Sequence, residues 1–364
     1  MGNSLKYTYN LNQRLIQMQN NSKSGRRKFL RNTLTLAAGS TLITPSLFGA
    51  PSILKHYNKP NSKFNGVQIG VITYSFRSME DQSAEATLQY ILDCGVNAIE
   101  LIGDPAETFA GRPENKLDRT VFFGLMKKKR SGSITDDEAK ELAEIQTEQS
   151  AYKKQVTKWR KTADMKKFEK FRKMYNDAGV DIYAFKPRDT FGKKNSDADI
   201  EWGMKTAKVL GASHVTVEHP SDDATTLRLG KFAKKHGIYV AYHGHEQQTP
   251  TLWDTALEQS NYNALNLDLG HFVAAGNSAP LDIIKNKHEH IKSMHLKDRQ
   301  TPANGKGNLV WGNGDTPLAG ALQLMRDNKY NFPGTVELEY DVPAGSNAIA
   351  EVQKCISFCE KALK

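Results

Sequence analysis

The sequence has 364 residues with 38% hydrophobic content, enough for a sizeable core in one large domain or two smaller ones. Its formal net charge of +10 arises entirely in residues 1–63, which hold ten of the 50 basic residues and no acidic one, so 50 − 10 leaves 40 basic against 40 acidic residues in 64–364. A neutral body gives no electrostatic reason to expect nucleic-acid binding.

The N-terminal segment has the pattern of an export signal. Arg26 and Arg27, with Phe29 and Leu30 behind them, precede a moderately apolar stretch without acidic residues that extends to Phe48. This resembles a twin-arginine (Tat) signal, and an apolar stretch of about 15 residues is too short to span a membrane. We therefore expect 1–63 to be a Tat-type signal and linker, cleaved near Ala50. The implied partner is the Tat translocon, the location is periplasmic or otherwise exported, and no stable membrane insertion is expected.

From Val67 onward, strand-like and helix-like patterns alternate. The predicted strands are 67–76, 97–102, 180–187, 214–218, 238–242, 265–267, 291–295 and 335–338. Glycines at 95, 179, 211 and 237 mark helix ends before short loops. Eight β–α units over about 300 residues predict one domain, 64–364, folded as a (β/α)8 TIM barrel. An open doubly wound sheet is the alternative, but no G-x-G-x-x-G motif follows the first strand.

Two further features bear on organisation. Residues 107–162 are long, polar and rich in charge, which predicts a helical insertion after the second strand. It is either a lid over the barrel mouth, a contact in a homo-oligomer, or a solvated helical excursion. The three cysteines, Cys94, Cys355 and Cys359, have neither a zinc-ligand spacing nor a disulfide framework, and we expect them in the core.

Acidic and imidazole side chains stand at the end of five consecutive predicted strands. They are Glu218, then His243 with His245, then Asp268 with His271, then His295 with Lys297, and finally Glu337 with Glu339. Barrels keep their chemistry at the C-terminal ends of their strands, so these groups are expected to converge. Buried charges need a partner or a metal. Glu218, Asp268, His295 and Glu339 would supply three carboxylates and one imidazole, a set that suits one Mn²⁺, Mg²⁺, Co²⁺ or Zn²⁺ ion.

Several short motifs resemble the xylose isomerase-like TIM-barrel superfamily, the sugar phosphate isomerase/epimerase group that includes ketose 3-epimerases and inosose dehydratases. They are IELIGD, YHGHE, LDLGH, HLKD, Gly312–Asp315 and VELEYD. The resemblance covers about residues 66–362 and is densest from Tyr239 to Asp341. Members bind one divalent metal through Glu, Asp, His and Glu on successive strands, which implies Asp268, His295 and Glu339 here. Glu339 is preferred to Glu337 by its distance from Gly334.

The sequence departs from this pattern at the first glutamate. Ketose epimerases carry it where this chain has His243, and the Tyr-His-x-His form is closer to the inosose dehydratase branch. Either Glu218, one strand earlier, or His243 would then complete the metal site.

A site of this kind supports removal of a proton next to a carbonyl group. The leading expectation is a sugar isomerase or epimerase, and the alternative is a lyase or dehydratase on a 3-keto sugar, keto-glycoside or inosose. Two further rivals are an endonuclease-IV-like phosphodiesterase, which the neutral body disfavours, and a non-catalytic sugar-binding barrel. Expected catalytic residues are Glu218, Glu339, His243 and Lys297. Expected substrate-binding residues are His271, His245, Glu100 and Lys186.

Overall fold

The computed structural model describes residues 59–364, so the signal pattern around Arg26 and the expected cleavage position lie outside the described residues. Eight parallel strands form a closed sheet, which confirms the predicted TIM barrel. The strands are β1 (Val67–Ile72), β2 (Ala98–Ile102), β3 (Asp181–Lys186), β4 (His214–Glu218), β5 (Tyr239–His243), β6 (Asn263–Asp268), β7 (Ile291–Leu296) and β8 (Gly334–Val336). Each strand pairs with the next in sequence, and β8 closes the barrel by pairing with β1.

Helices surround the barrel. They are α1 (Ala84–Asp93), α2 (Gly103–Phe109), α3 (Arg119–Ser131), α4 (Asp136–Arg160), α5 (Met165–Asp177), α6 (Asp197–Leu210), α7 (Asp223–His236), α8 (Asp254–Gln259), α9 (Leu269–Ala274), α10 (Pro280–Lys287), α11 (Leu318–Asp327) and α12 (Ala348–Leu363). The side chains of Ser83 and Asp222 cap α1 and α7. At the other end, Gly211 and Gly237 end α6 and α7 in the left-handed conformation, where glycine has no steric penalty.

Strands β1 and β8 are shorter than the sequence predicts. The first predicted strand continues to Phe76, whereas Thr73–Phe76 forms a 3-10 helix. Hydroxyl groups take over hydrogen bonds there, because Thr73 Oγ1 accepts from the backbone N–H of Ile102 and Ser75 Oγ accepts from that of Leu338. Strand β8 ends at Val336 rather than Leu338.

The charge-rich segment after β2 contains α3 and the 25-residue helix α4. Helix α4 begins with a capping box formed by Thr135 and Glu138. At its end, Arg160 Nη2 donates to both carboxylate oxygens of Glu107 at 3.0 and 3.1 Å, and both side chains are buried. This ion pair attaches the end of α4 to α2. The role of the segment as a lid or an oligomer contact stays a prediction.

The apolar core lies between the outer face of the barrel and its helices. Leu265 and Leu267, which alternate with the polar residues of β6, are fully buried there. The three cysteines are buried and unbridged, as expected. Within residues 59–364, no helix is both long and apolar enough to cross a membrane.

Candidate active site

Asp268 lies at the junction between β6 and α9. Its Oδ1 accepts from the backbone N–H of His271 at 2.7 Å and so caps the helix, while its whole side chain is buried. Gly270 is required in this turn, because a Cβ atom there would collide with the side chain and backbone of Lys297. The Asp-Leu-Gly-His motif therefore fixes Asp268 at the C-terminal end of the barrel and lets β7 approach closely.

Asp268 meets two buried imidazoles from the neighbouring strands. Its Oδ2 lies 3.9 Å from His243 Nε2 and 3.7 Å from His295 Nδ1, and one ligand atom from each residue falls within 4.8 Å of the others. Asp268 Oδ2 makes no hydrogen bond, although it forms an ion pair with Lys297 Nζ at 2.9 Å. A buried carboxylate oxygen without a hydrogen bond, beside two imidazole nitrogens, is a donor set that fits a divalent metal ion.

His295 lies between two carboxylates. Its Nε2 is 2.8 Å from Glu100 Oε2, and its Nδ1 is 2.7 Å from Glu337 Oε2. Burial alone would lower the pKa of His295, but the two carboxylates raise it to about 10, so a metal ion bound at Nδ1 would have to replace a proton there. Burial would conversely raise the pKa of Glu100, and the charge and hydrogen bond of His295 lower it to about 2. Glu100, an expected substrate-binding residue, is fully buried and orients His295.

His243 is oriented by Asn266. Its Nδ1 lies 2.7 Å from Asn266 Oδ1, while Asn266 Nδ2 donates to Ser293 Oγ at 2.7 Å and to Glu100 Oε2 at 3.3 Å. Burial lowers the pKa of His243 to about 3, and the cations Lys186 and His295 add to this effect. The ring is therefore neutral, with its proton on Nδ1 and a lone pair on Nε2, which is the nitrogen that faces Asp268.

Lys297 lies among the carboxylates at the centre of the cluster. Its ammonium nitrogen lies 2.9 Å from Asp268 Oδ2, 2.7 Å from Glu337 Oε2 and 2.8 Å from Glu339 Oε2. Burial would lower the pKa of Lys297, but these three carboxylates raise it above its usual range. The site thus contains a permanently charged lysine in direct contact with acids of the expected metal set.

The three acids of this cluster differ in access to solvent. The side chain of Glu339 is 24% exposed, whereas Glu337 is 6% exposed and Asp268 is fully buried. Glu339 is therefore the carboxylate that a molecule entering the mouth can reach.

Two more histidines stand closer to the mouth. The rings of His245 and His271 stack with centroids 4.6 Å apart and planes 10° apart. Arg299 Nη1 donates to Nδ1 of His271, and Nε2 of His271 lies 3.2 Å from Lys297 Nζ. Burial lowers the pKa of His271 to about 4, with Lys297 contributing in the same direction. This ring is neutral and lies between two cations, of which only one can donate to it because a neutral imidazole has a single acceptor nitrogen.

Glu218 lies at the rim rather than at the centre. Its side chain is 56% exposed and pairs with Lys186 Nζ at 2.9 Å and His245 Nε2 at 3.0 Å. The hydrogen bond from Glu218 is the main cause that raises the pKa of His245. Of the four expected metal ligands, the structure therefore brings Asp268 and His295 together and holds Glu339 beside them through Lys297. It places His243, and not Glu218, in the central cluster.

Sequence reasoning missed several supporting residues. Asn266 and Ser293 each precede a strand-end residue by two positions, so they share its inward face, and His214 Nε2 lies 3.0 Å from Ser293 Oγ. The same alternation of apolar and polar residues that identified Asp268 and His295 could also have identified Asn266 and Ser293. Arg299 carried no such signal, because its contact with His271 depends on the short antiparallel pair Asp298–Arg299 and Asn308–Leu309.

The family is decided by a comparison with protein-family models. The model described as "Xylose isomerase-like TIM barrel" matches residues 147–360, more than half of the chain. The chain belongs to this family. The matched residues of this xylose isomerase-like barrel include every strand from β3 to β8, and therefore the whole central cluster apart from Glu100.

Solved structures agree on the fold. A sugar phosphate isomerase/epimerase from Parabacteroides distasonis is 17% identical, with a TM-score of 0.53 over 82% of this chain and 96% of that one. The probable 3-DHS dehydratase AsbF of Bacillus anthracis is 14% identical (TM-score 0.52, 80% and 97%). D-psicose 3-epimerase from Clostridium cellulolyticum is 12% identical (TM-score 0.51, 82% and 99%). No curated protein matches the chain. At these identities the structures support the barrel alone.

Proposed function

We propose that this xylose isomerase-like barrel is a metal-dependent sugar isomerase or epimerase that removes a proton from the carbon next to a carbonyl group. The observation that carries this proposal is the convergence of His243, Asp268 and His295 around a carboxylate oxygen that makes no hydrogen bond. These three residues would hold one divalent ion, with Glu337 or Glu339 as a further carboxylate. When bound, the ion would polarise a substrate carbonyl and make the neighbouring proton easier to remove.

The residues around this centre have separable tasks. Glu339, the exposed acid of the cluster, is the proposed base: its Oε2 accepts from Lys297, which leaves Oε1 to take the proton. Lys297 holds the acids in place and can offer a proton to a substrate oxygen. His271, His245 and Lys186 line the mouth and would hold further hydroxyl groups. Free sugars or keto sugars suit this polar mouth, and they suit the proposed export better than phosphorylated sugars.

A second candidate is elimination from a 3-keto sugar, keto-glycoside or inosose. The stacked pair His245 and His271 favours it, because an elimination needs a proton donor for the departing oxygen besides the base. His245, anchored by Glu218, is the proposed donor. Both candidates begin with the same proton removal at Glu339.

The experiment combines metal analysis with hydrogen exchange. The wild-type protein, Asp268→Asn and His295→Ala would be purified, assayed for bound metal, and incubated with free keto sugars in D₂O. We expect the wild type to bind one divalent ion per chain and to exchange the proton next to the carbonyl, and both variants to lose metal and exchange while remaining folded. Isomerised product identifies the first candidate, and an unsaturated product identifies the second. Full exchange by Asp268→Asn after metal removal would overturn both.

A further inference from the structure

The ammonium group of Lys297 contacts carboxylate oxygens that a bound metal ion would also contact. Its three nearest carboxylate oxygens belong to Asp268, Glu337 and Glu339, at 2.7–2.9 Å, and its side chain is only 2% exposed. Its ammonium group donates a hydrogen bond to Glu339 Oε2 and lies 3.2 Å from His271 Nε2, while Asp268 and Glu337 are its ion-pair partners. In the structure described, one ammonium charge therefore offsets part of the negative charge of three acids.

The same oxygens belong to the proposed metal site. Asp268 Oδ2 is the carboxylate atom that faces both imidazoles, and Glu337 Oε2 is shared between Lys297 and His295 Nδ1. A divalent ion on Asp268 Oδ2 would stand beside the ammonium group, at a position where both side chains are buried. Like charges repel strongly where water does not screen them. The metal and the ammonium group therefore compete for Asp268 Oδ2.

Lys297 has a route out of this position. Its four-carbon stem is flexible, and Glu339 is both its outermost carboxylate partner and the one with most exposure. If the ammonium group stays paired with Glu339 and breaks its contact with Asp268, it moves towards the mouth, where the His271 ring also lies. A substrate that enters through the mouth would meet the ammonium group there.

We propose that Lys297 is an internal competitor for the metal: it holds Asp268 and Glu337 in the metal-free protein and is displaced towards the mouth when a divalent ion binds. Displacement then makes its ammonium group a hydrogen-bond donor to the substrate, so that substrate binding follows metal binding. This inference rests on the metal centre of the proposed function.

The test is the affinity of the full-length chain for Mn²⁺, measured by titration calorimetry on the metal-free protein. Lys297→Met and Lys297→Gln remove the competing charge and should bind Mn²⁺ roughly tenfold more tightly than the wild type, or better still. Lys292→Met is the matched control, because Lys292 lies on β7, which ends just before Lys297, but stands over the ring of Tyr239 at 4.2 Å. It should bind Mn²⁺ as the wild type does.

Two outcomes separate this inference from the proposed function. Wild-type binding with equal or weaker binding by both folded Lys297 variants overturns the competition alone. No Mn²⁺ binding by the folded wild type or by any variant overturns the metal centre and the competition with it. If both variants fail to fold, a crystal structure of the wild type with Mn²⁺ decides. Movement of Lys297 Nζ beyond about 4 Å from Asp268 Oδ2 supports the proposal, and an unchanged ion pair overturns it.

Discussion

Asn266 sets the orientation of His243: its side-chain oxygen accepts the Nδ1 proton of His243 at 2.7 Å. The amide could not be turned round, because its nitrogen faces the carboxylate of Glu100, which only accepts hydrogen bonds. A buried acid on β2 thereby determines which nitrogen of an imidazole on β5 faces Asp268. Partners of this kind orient metal ligands and raise their basicity.

Asn266→Leu should therefore weaken metal binding by about 10- to 100-fold without unfolding the barrel. The direct measurement is two-dimensional ¹⁵N–¹H NMR of the histidine rings, in which His243 should lose its single tautomer. Asn328→Leu, at an exposed position after α11, is the control and should change neither quantity. A single unchanged tautomer in Asn266→Leu would contradict the assignment.

Either His243 or Glu218 could replace the first glutamate of the family's metal-binding pattern, and the distance of His243 from Asp268 favours His243. His243→Ala should lose both metal and turnover, because the cluster then lacks one of its two imidazoles. Glu218→Gln should keep the metal and lose part of its turnover, since Glu218 contacts Lys186 and His245 at the rim. Metal content by mass spectrometry and initial rates distinguish them. The reverse pattern would make Glu218 the ligand.

Glu337 and Glu339 provide a matched pair for the role of base. Glu339→Gln should keep its metal and lose about 10²- to 10⁴-fold in rate, the usual value of one proton-transfer group. Glu337→Gln should also lose metal affinity, because Glu337 Oε2 contacts both His295 and Lys297. Equal rate losses together with equal metal losses in the two variants would argue against a separate base.

The buried pair Arg160 and Glu107 predicts a stability effect far from the chemistry. Arg160→Met should lower the free energy of unfolding by about 3–5 kcal/mol, because Glu107 loses the partner that donates to both its oxygens. Urea denaturation measures this. Lys153 lies on the same helix as Arg160, and Lys153→Met, which breaks its exposed pair with Asp189, should cost less than about 1 kcal/mol. Similar losses for both variants would show that burial of the first pair is unimportant.

Export is predicted from the twin arginines and the apolar stretch that follows them. Replacing Arg26 and Arg27 by lysine should leave the protein in the cytoplasm, since the twin-arginine pathway reads that pair. Fractionation of cells that express each form provides the measurement. An unchanged periplasmic yield would mean that residues 1–63 have another role.

The sequence by itself determined the barrel and much of the site. Strand alternation, together with glycines such as Gly211 and Gly237, is local information, because it depends on the period of a strand and on backbone conformations that few residues adopt. Asp268 and His295 were likewise readable, since an acid or imidazole at the end of an apolar strand has a fixed place in a barrel.

Tertiary structure decided which of these groups meet. The choice of His243 over Glu218 depends on side-chain direction at two adjacent strand ends, where one residue points to the axis and the other to the rim. The position of Lys297 between three acids depends on the approach of β7 to Gly270 and on the end of β8 at Val336. Contacts between residues so far apart in sequence follow from the closure of the barrel, because strand periodicity specifies which face a residue lies on and leaves its partner across the barrel open.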